Sequence, residues 1–171
     1  MIPKFLTLKG AIGVNRGLGL NEIAIDFTQF RPGVIALMGR NGSGKSSILE
    51  NLTPYRTLLS RGGSLYNHFE GPSLRELVFS FDGHDYTSRI EINPEKRIQR
   101  ATLIRDGVPL NDGTAEMYDG EVEKIFGSLT LFRNTVFSAQ NAVRIGCMSK
   151  ADKKDLFIEL LNLWIYSEYE L

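Results

Sequence analysis

The chain has 171 residues, with 20 Lys and Arg against 20 Asp and Glu and a formal net charge of zero, so it carries no global attraction to nucleic acid. Hydrophobic residues at 42% and charged residues at 23% fit one globular domain with a real core and exclude disordered or collagen-like chains. No apolar run approaches the roughly 20 residues of a bilayer span, no signal-peptide pattern opens the chain, and one cysteine, Cys147, with two histidines makes no disulfide framework or zinc cage; a cytoplasmic domain without membrane contact is expected.

In chain order, residues 4–9 and 22–27 are strand-like. Ile23, Ile25 and Phe27 alternate with Glu22, Ala24 and Asp26, the period of a half-buried strand. Gly10, Gly13, Gly17 and Gly19 between them are expected to mark turns. After Pro32-Gly33, the run Val34-Ile35-Ala36-Leu37-Met38 has no polar face, the pattern of a central strand covered on both sides. A glycine-rich loop follows, then a helix over 45–52 that must stop before Pro54. Residues 55–73 are polar and turn-rich, and no regular element is assigned to them. Residues 77–81, Asp82-Gly83 and 86–92 predict a hairpin; 97–105, Asp106-Gly107 and Val108 continue the antiparallel pattern. Thr114 can cap a helix to Phe126 with Gly127 as its terminator, and residues 135–137 suit a short strand. Ser149-Lys150-Ala151-Asp152 has capping-box form ahead of Leu156, Phe157, Leu160, Leu161 and Trp164 at helical spacing. Glu168-Tyr169-Glu170-Leu171 carry no helix stop signal, so that helix is expected to continue beyond them.

The informative motif is Gly39-Arg40-Asn41-Gly42-Ser43-Gly44-Lys45-Ser46, which matches the Walker A pattern G-x-x-x-x-G-K-[ST]. Glycines let the backbone take positive φ and approach an anion with successive N–H groups turned inward. A helix beginning at Lys45 adds the positive end of its dipole. Lys45 is a mobile charge for the β- and γ-phosphates, and the Ser46 hydroxyl suits Mg²⁺, which prefers oxygen ligands. Ser47 completes the expected nucleotide-binding stretch. At ordinary residue usage, a chain this long produces the pattern by chance less than about 1% of the time. Between positions 31 and 61 there are five basic residues (Arg31, Arg40, Lys45, Arg56 and Arg61) against one acidic residue, Glu50, which allows either a solvated surface or a patch facing phosphates.

A Walker B strand would end an apolar run in Asp. Leu77-Val78-Phe79-Ser80-Phe81-Asp82 comes near, and Leu103-Ile104-Arg105-Asp106 is a poorer copy. Both aspartates precede glycine, which is the hairpin-turn signature, and no Glu follows Asp82. Hairpin turn is the reading for Asp82 and metal ligand the alternative; catalytic carboxylates are not expected in this chain. His68, His84 and Cys147 form no nucleophilic arrangement.

With these residues read, the chain resembles the N-terminal ATPase lobe of SbcC-type, SMC-like proteins, the ABC-class ATPases of double-strand break repair. The opening strand and glycine loop over 5–19, Pro32 through the phosphate loop to Ser47, Phe137-Ser138-Ala139-Gln140, and 153–164 with Leu160-Leu161-Asn162-Leu163 carry the resemblance in that order. It implies an α/β P-loop NTPase fold of ABC-ATPase head type. One N-terminal lobe would span 1–171: P-loop strand and helix at 34–53, a mixed sheet with an antiparallel β subdomain over about 74–108, and a helical region over about 114–171 leading toward a coiled coil. It implies ATP and Mg²⁺ as cofactors, and Gln140 as the Q-loop glutamine touching Mg²⁺ and the attacking water, beside Lys45 as catalytic residue. Ser138-Ala139 stands where relatives often carry Leu-Pro, so Asn141 is the alternative. The signature motif, Walker B and catalytic glutamate would lie in a C-terminal lobe beyond the coil. The implied partners are that lobe, a second copy through ATP-sandwiched heads, an SbcD-like nuclease docking near the coil, and DNA. An SMC-type DNA-bridging ATPase without a nuclease partner and a compact P-loop kinase using Asp82 are the alternatives.

Overall fold

The computed structural model describes residues 1–58, 64–137 and 145–161. The chain divides into two compact units, Met1–Val122 and Glu123–Leu171. In the first, β1 (Ile2–Ala11), α1 (Ile12–Leu18), β2 (Glu22–Asp26) and α2 (Lys45–Glu50) precede a meander of β3 (Phe69–Phe81), β4 (His84–Asn93), β5 (Ile98–Arg105) and β6 (Val108–Pro109). Helix α3 (Ala115–Phe126) starts in this unit, and α4 (Leu129–Thr135) and α5 (Lys150–Leu160) belong to the second. Single 3₁₀ turns lie at Phe27–Gln29, Leu65–Asn67 and Ile145–Cys147.

The strands form one sheet in the order β2-β1-β3-β4-β5-β6, antiparallel at every step. Period-two alternation turns Leu6, Leu8, Leu77, Phe79, Tyr86, Ile90, Ala101 and Leu103 to one buried face. There Phe79 and Tyr86 stack with ring centroids 5.5 Å apart, an arrangement that adds to their area burial. Tyr118 and Val122 of α3 are also buried, and the Tyr118 hydroxyl lies 2.5 Å from Ser88 Oγ. The opposite face stays in water and carries a charge ladder, Arg89 with Glu76 at 2.9 Å and Glu91 at 3.2 Å.

Both predicted Asp-Gly turns are hairpin turns. Asp82 and Gly83 have φ of 49° and 79°, and Asp106 and Gly107 have 49° and 82°, the two consecutive positive φ values of a type I′ turn. Asp106 accepts from the Asp85 amide at 2.9 Å and meets His84 Nδ1 at 2.6 Å. These contacts, the amide first, hold its carboxyl below the usual range.

Four sequence expectations change. The glycines after β1 do not all mark turns: Gly13 and Gly17 lie inside α1, and only Gly19, at φ 68° with its N–H on Asn15 O, ends the helix. Residues 34–38 are not a strand; Val34 is fully exposed, Met38 91% and Ile35 45% exposed. The six-stranded order gives that run no neighbour on either hydrogen-bonding edge, so the sheet is antiparallel throughout the described residues and not mixed around the phosphate loop. Strand β3 begins at Phe69, inside the stretch 55–73 to which the sequence assigns no regular element, because Pro72 stands where the β1 register shifts and no ladder partner needs its missing N–H. Residues 135–137 close α4, which Ser128 caps through Leu131 N.

The remaining helix punctuation agrees. Gly127 has φ 79° and donates to Glu123 O at 2.9 Å, ending α3. In the second unit the Ser128 amide and hydroxyl both donate to Glu159, each at 2.5 Å. Ser149 Oγ accepts from Asp152 N, the N-cap half of a capping box, and its hydroxyl donates to the Asp152 carboxylate in place of the reciprocal main-chain bond. Of the apolar stripe on α5, Leu156 is buried while Phe157, Leu160 and Leu161 are about half exposed; Trp164 lies outside the described residues.

Candidate nucleotide-binding site

The phosphate-loop sequence occupies the bend that leads into α2. Gly42 and Gly44 hold φ of 80° and 82°, values that L side chains resist. Gly44 is the N-terminal boundary residue of α2, and Lys45 begins it. The loop closes on itself through Ser43 N to Arg40 O at 3.2 Å, and α2 begins with Ile48 N to Gly44 O at 2.9 Å. The Lys45 ammonium folds back over the loop, donating to Gly39 O at 2.8 Å and Arg40 O at 2.7 Å. Asn41 and Gly42 are exposed, Ser43 to Ser46 half-buried.

Helix α1 is the seat of this loop. A Cβ on Gly13 would fall 1.9 Å from Ser47 Oγ, and one on Gly17 would fall 2.3 Å from Gly42 O. A Cβ on Gly44 would come 3.0 Å from Gly13 O. At Gly17 and Gly44 backbone therefore lies directly on backbone, and at Gly13 the Ser47 side chain lies on backbone, approaches that only glycine permits. Sequence reading missed this; the signal available was the i, i+4 spacing of Gly13 and Gly17, which puts both on one helical face.

The predicted residues that fall among the described ones can now be placed. Lys45, Ser46 and the glycines come together, with Arg40 and Asn41 on the open rim. Ser47 is 8% exposed and turned against α1, so it seats the helix and any ligand contact would come through its main chain. Gln140, and Asn141 as its alternative, lie outside the described residues. Asp82 sits at the β3–β4 turn, as the hairpin reading requires. Of the local basic excess, Arg56 is spoken for: it forks onto Asp119 and reaches Gln99 Oε1 at 2.6 Å, while Arg61 is outside the described residues.

The Ser46 hydroxyl is the hard oxygen donor beside Lys45 and is of the type Mg²⁺ takes; no group of three or more His, Cys, Asp or Glu side chains among the described residues could hold a metal by itself. Two concavities of about 440 and 710 Å³ lie over β4 and β5, away from the loop, and share the ion-paired Arg89 and Glu91. Their size does not outweigh chemistry, because those charges already satisfy each other. No described helix is long and apolar enough to cross a membrane.

No family model matches the chain. A curated relative does. The chain is 32% identical over 126 residues to a DNA double-strand break repair Rad50 ATPase from Methanopyrus kandleri, a match covering 67% of this chain and 14% of that protein. The similarity is thus to part of a DNA-repair ATPase, and the chain spans about 14% of the relative's length.

Proposed function

We propose that this chain is the ATP-binding lobe of an SbcC- or Rad50-like repair ATPase, built on the ABC-head form of the P-loop fold. The observation that carries the reading is the loop itself: two left-handed glycines, an ammonium poised over the loop carbonyls, and a helix beginning at that lysine. Lys45 would exchange its two carbonyl partners for phosphate oxygens, a change from neutral to charge-assisted hydrogen bonds. The main-chain N–H groups of Asn41, Gly42 and Gly44 would follow the same phosphates. Ser46 would hold Mg²⁺, which when bound neutralises charge on the β- and γ-phosphate oxygens. Gln140 would orient the attacking water.

Lys45 and Ser46 bind and position, but the described residues bring no carboxylate to the loop that would activate water. Turnover therefore needs a second lobe carrying the signature motif, Walker B and a glutamate. The exposed apolar run Val34-Ile35-Ala36-Leu37-Met38 supports this, since it enters the loop and has the composition of a strand covered on both faces. In the complete protein two heads would sandwich ATP, and its hydrolysis would gate DNA ends for an SbcD-like nuclease in the cytoplasm.

Titration calorimetry of the complete protein with ATP and Mg²⁺ tests the reading. Saturable heat is expected, with Lys45→Ala weakening affinity about a hundredfold, in line with removing a charge-assisted phosphate contact. Equal behaviour of wild type and Lys45→Ala would sink it.

A further inference from the structure

Arg75 is a fully buried cation in the middle of β3. Its described acceptors are main-chain carbonyls: Nη2 donates to Tyr55 O at 2.7 Å and more weakly to Pro54 O at 3.4 Å. Nε and Nη1 have no hydrogen-bond partner among the described residues. Burial, more than any neighbouring charge, pushes the guanidinium down to about 10. A buried charge held by neutral acceptors costs folding free energy, and an apolar side chain of similar volume is often neutral or better in such a place. Its stability contribution is therefore a poor reason for an arginine here.

The carbonyls it holds belong to the segment that leaves α2. Tyr118 of α3 reaches the same segment, its hydroxyl donating to Pro54 O at 2.6 Å while Ser88 Oγ supplies a second partner at 2.5 Å. The next residue, Arg56, is forked onto Asp119 and bonded to Gln99. Three successive residues, Pro54, Tyr55 and Arg56, are thus tied to β3, β5 and α3. Helix α2 has six residues, a length of about 9 Å, and Ile48 is its buried apolar side chain. So short a helix is seated on α1 at its start and has little packing of its own to fix its exit. Its far end presents Lys45 and Ser46.

We propose that Arg75 and Tyr118 are positioning residues for the phosphate loop: by gripping the Tyr55 and Pro54 carbonyls they fix the exit of α2 and so the placement of Lys45 and Ser46 for a nucleoside triphosphate. This rests on the nucleotide-binding reading above. The role explains why an expensive buried cation is kept, since a long side chain ending in a charged N–H donor reaches from β3 to the Tyr55 carbonyl, which an apolar side chain of similar volume cannot bond.

The test measures Mg-ATP affinity by calorimetry and melting temperature for the complete protein and for Arg75→Met, Arg75→Lys and Tyr118→Phe, with Lys45→Ala as control. Arg75→Met is expected to weaken affinity about tenfold, the scale of a small misplacement of binding groups, while its melting temperature stays level or rises. Arg75→Lys restores affinity to within about twofold, and Tyr118→Phe weakens it about threefold through one lost hydrogen bond. Wild-type affinity in Arg75→Met overturns the proposal. So does a melting temperature that falls with affinity and is not recovered by lysine, because that is a purely structural role. Absence of binding in wild type and Lys45→Ala alike removes the nucleotide reading itself, a result separable from either outcome at Arg75.

Discussion

Two apolar stretches of the first unit behave in opposite ways. In the β3–β4 hairpin, Leu77, Phe79, Tyr86 and Ile90 are buried and their alternate neighbours face water. In residues 34–38 every side chain is apolar, yet Val34 and Met38 stand almost wholly in solvent. The hairpin supplies both partners of its own ladder, whereas an all-apolar strand requires a cover on each face and a neighbour on each edge. Hydrophobicity alone does not bury a segment; something must be there to receive it. That contrast separates a part of the molecule that buries its own apolar face from a part that, on the proposed two-lobe reading, would be covered by a complement.

The largest effect belongs to the hairpin side. Leu77→Ala leaves a hole beneath a fully buried position and is expected to cost about 3 kcal/mol, read as a shift of the urea midpoint. Gly13→Ala comes next. Its new methyl would meet Ser47 Oγ and is expected to cost about 1–3 kcal/mol through displacement of α1 from α2, with weaker ATP affinity by calorimetry and unchanged sheet signal in circular dichroism.

Asp106→Asn is milder and sharpens the hairpin half of the comparison through pH. The folded carboxyl is held below its ordinary value, so its contribution is present above about pH 4 and is lost as pH falls through the depressed folded value. Urea melts should show the variant less stable than wild type at neutral pH, with the gap closing as pH falls below the ordinary carboxyl value of about 4. Within the 171-residue chain the smallest effect is on residues 34–38. Val34→Ser with Met38→Ser should move the stability of the 171-residue chain by no more than about 0.5 kcal/mol. In the complete protein the same pair should cost about 1.5–3 kcal/mol per side chain if the run becomes covered. Equal small effects in both settings would break the comparison.

Much of this was legible in advance, for identifiable reasons. Strand β4 reads from Tyr86, Ser88, Ile90 and Ile92 on one face and Arg89 and Glu91 on the other, and its start reads from the Asp82-Gly83 turn, whose φ requirement is local. The phosphate loop reads because each of its residues answers a local demand. Helix α1 did not, because Gly13 and Gly17 are poor helix formers and their purpose is a contact with residues some thirty positions away. Arg75 was hidden in plain alternation: it occupies a core-facing slot of β3 that pattern reading fills with an aliphatic residue. The run 34–38 was misjudged because composition reports what a strand would want, and the described residues do not provide it.

The two rims of the sheet have different capacities for growth. Beyond β5 lies β6, two residues long and ending in Pro109, paired to Ile104 and Arg105. A stray strand arriving there finds almost no backbone to zip onto, and proline offers it no donor. Any sheet-to-sheet aggregation of this protein is therefore directed to the other rim, along the five residues of β2, where Glu22 and Asp26 stand as like-charged deterrents.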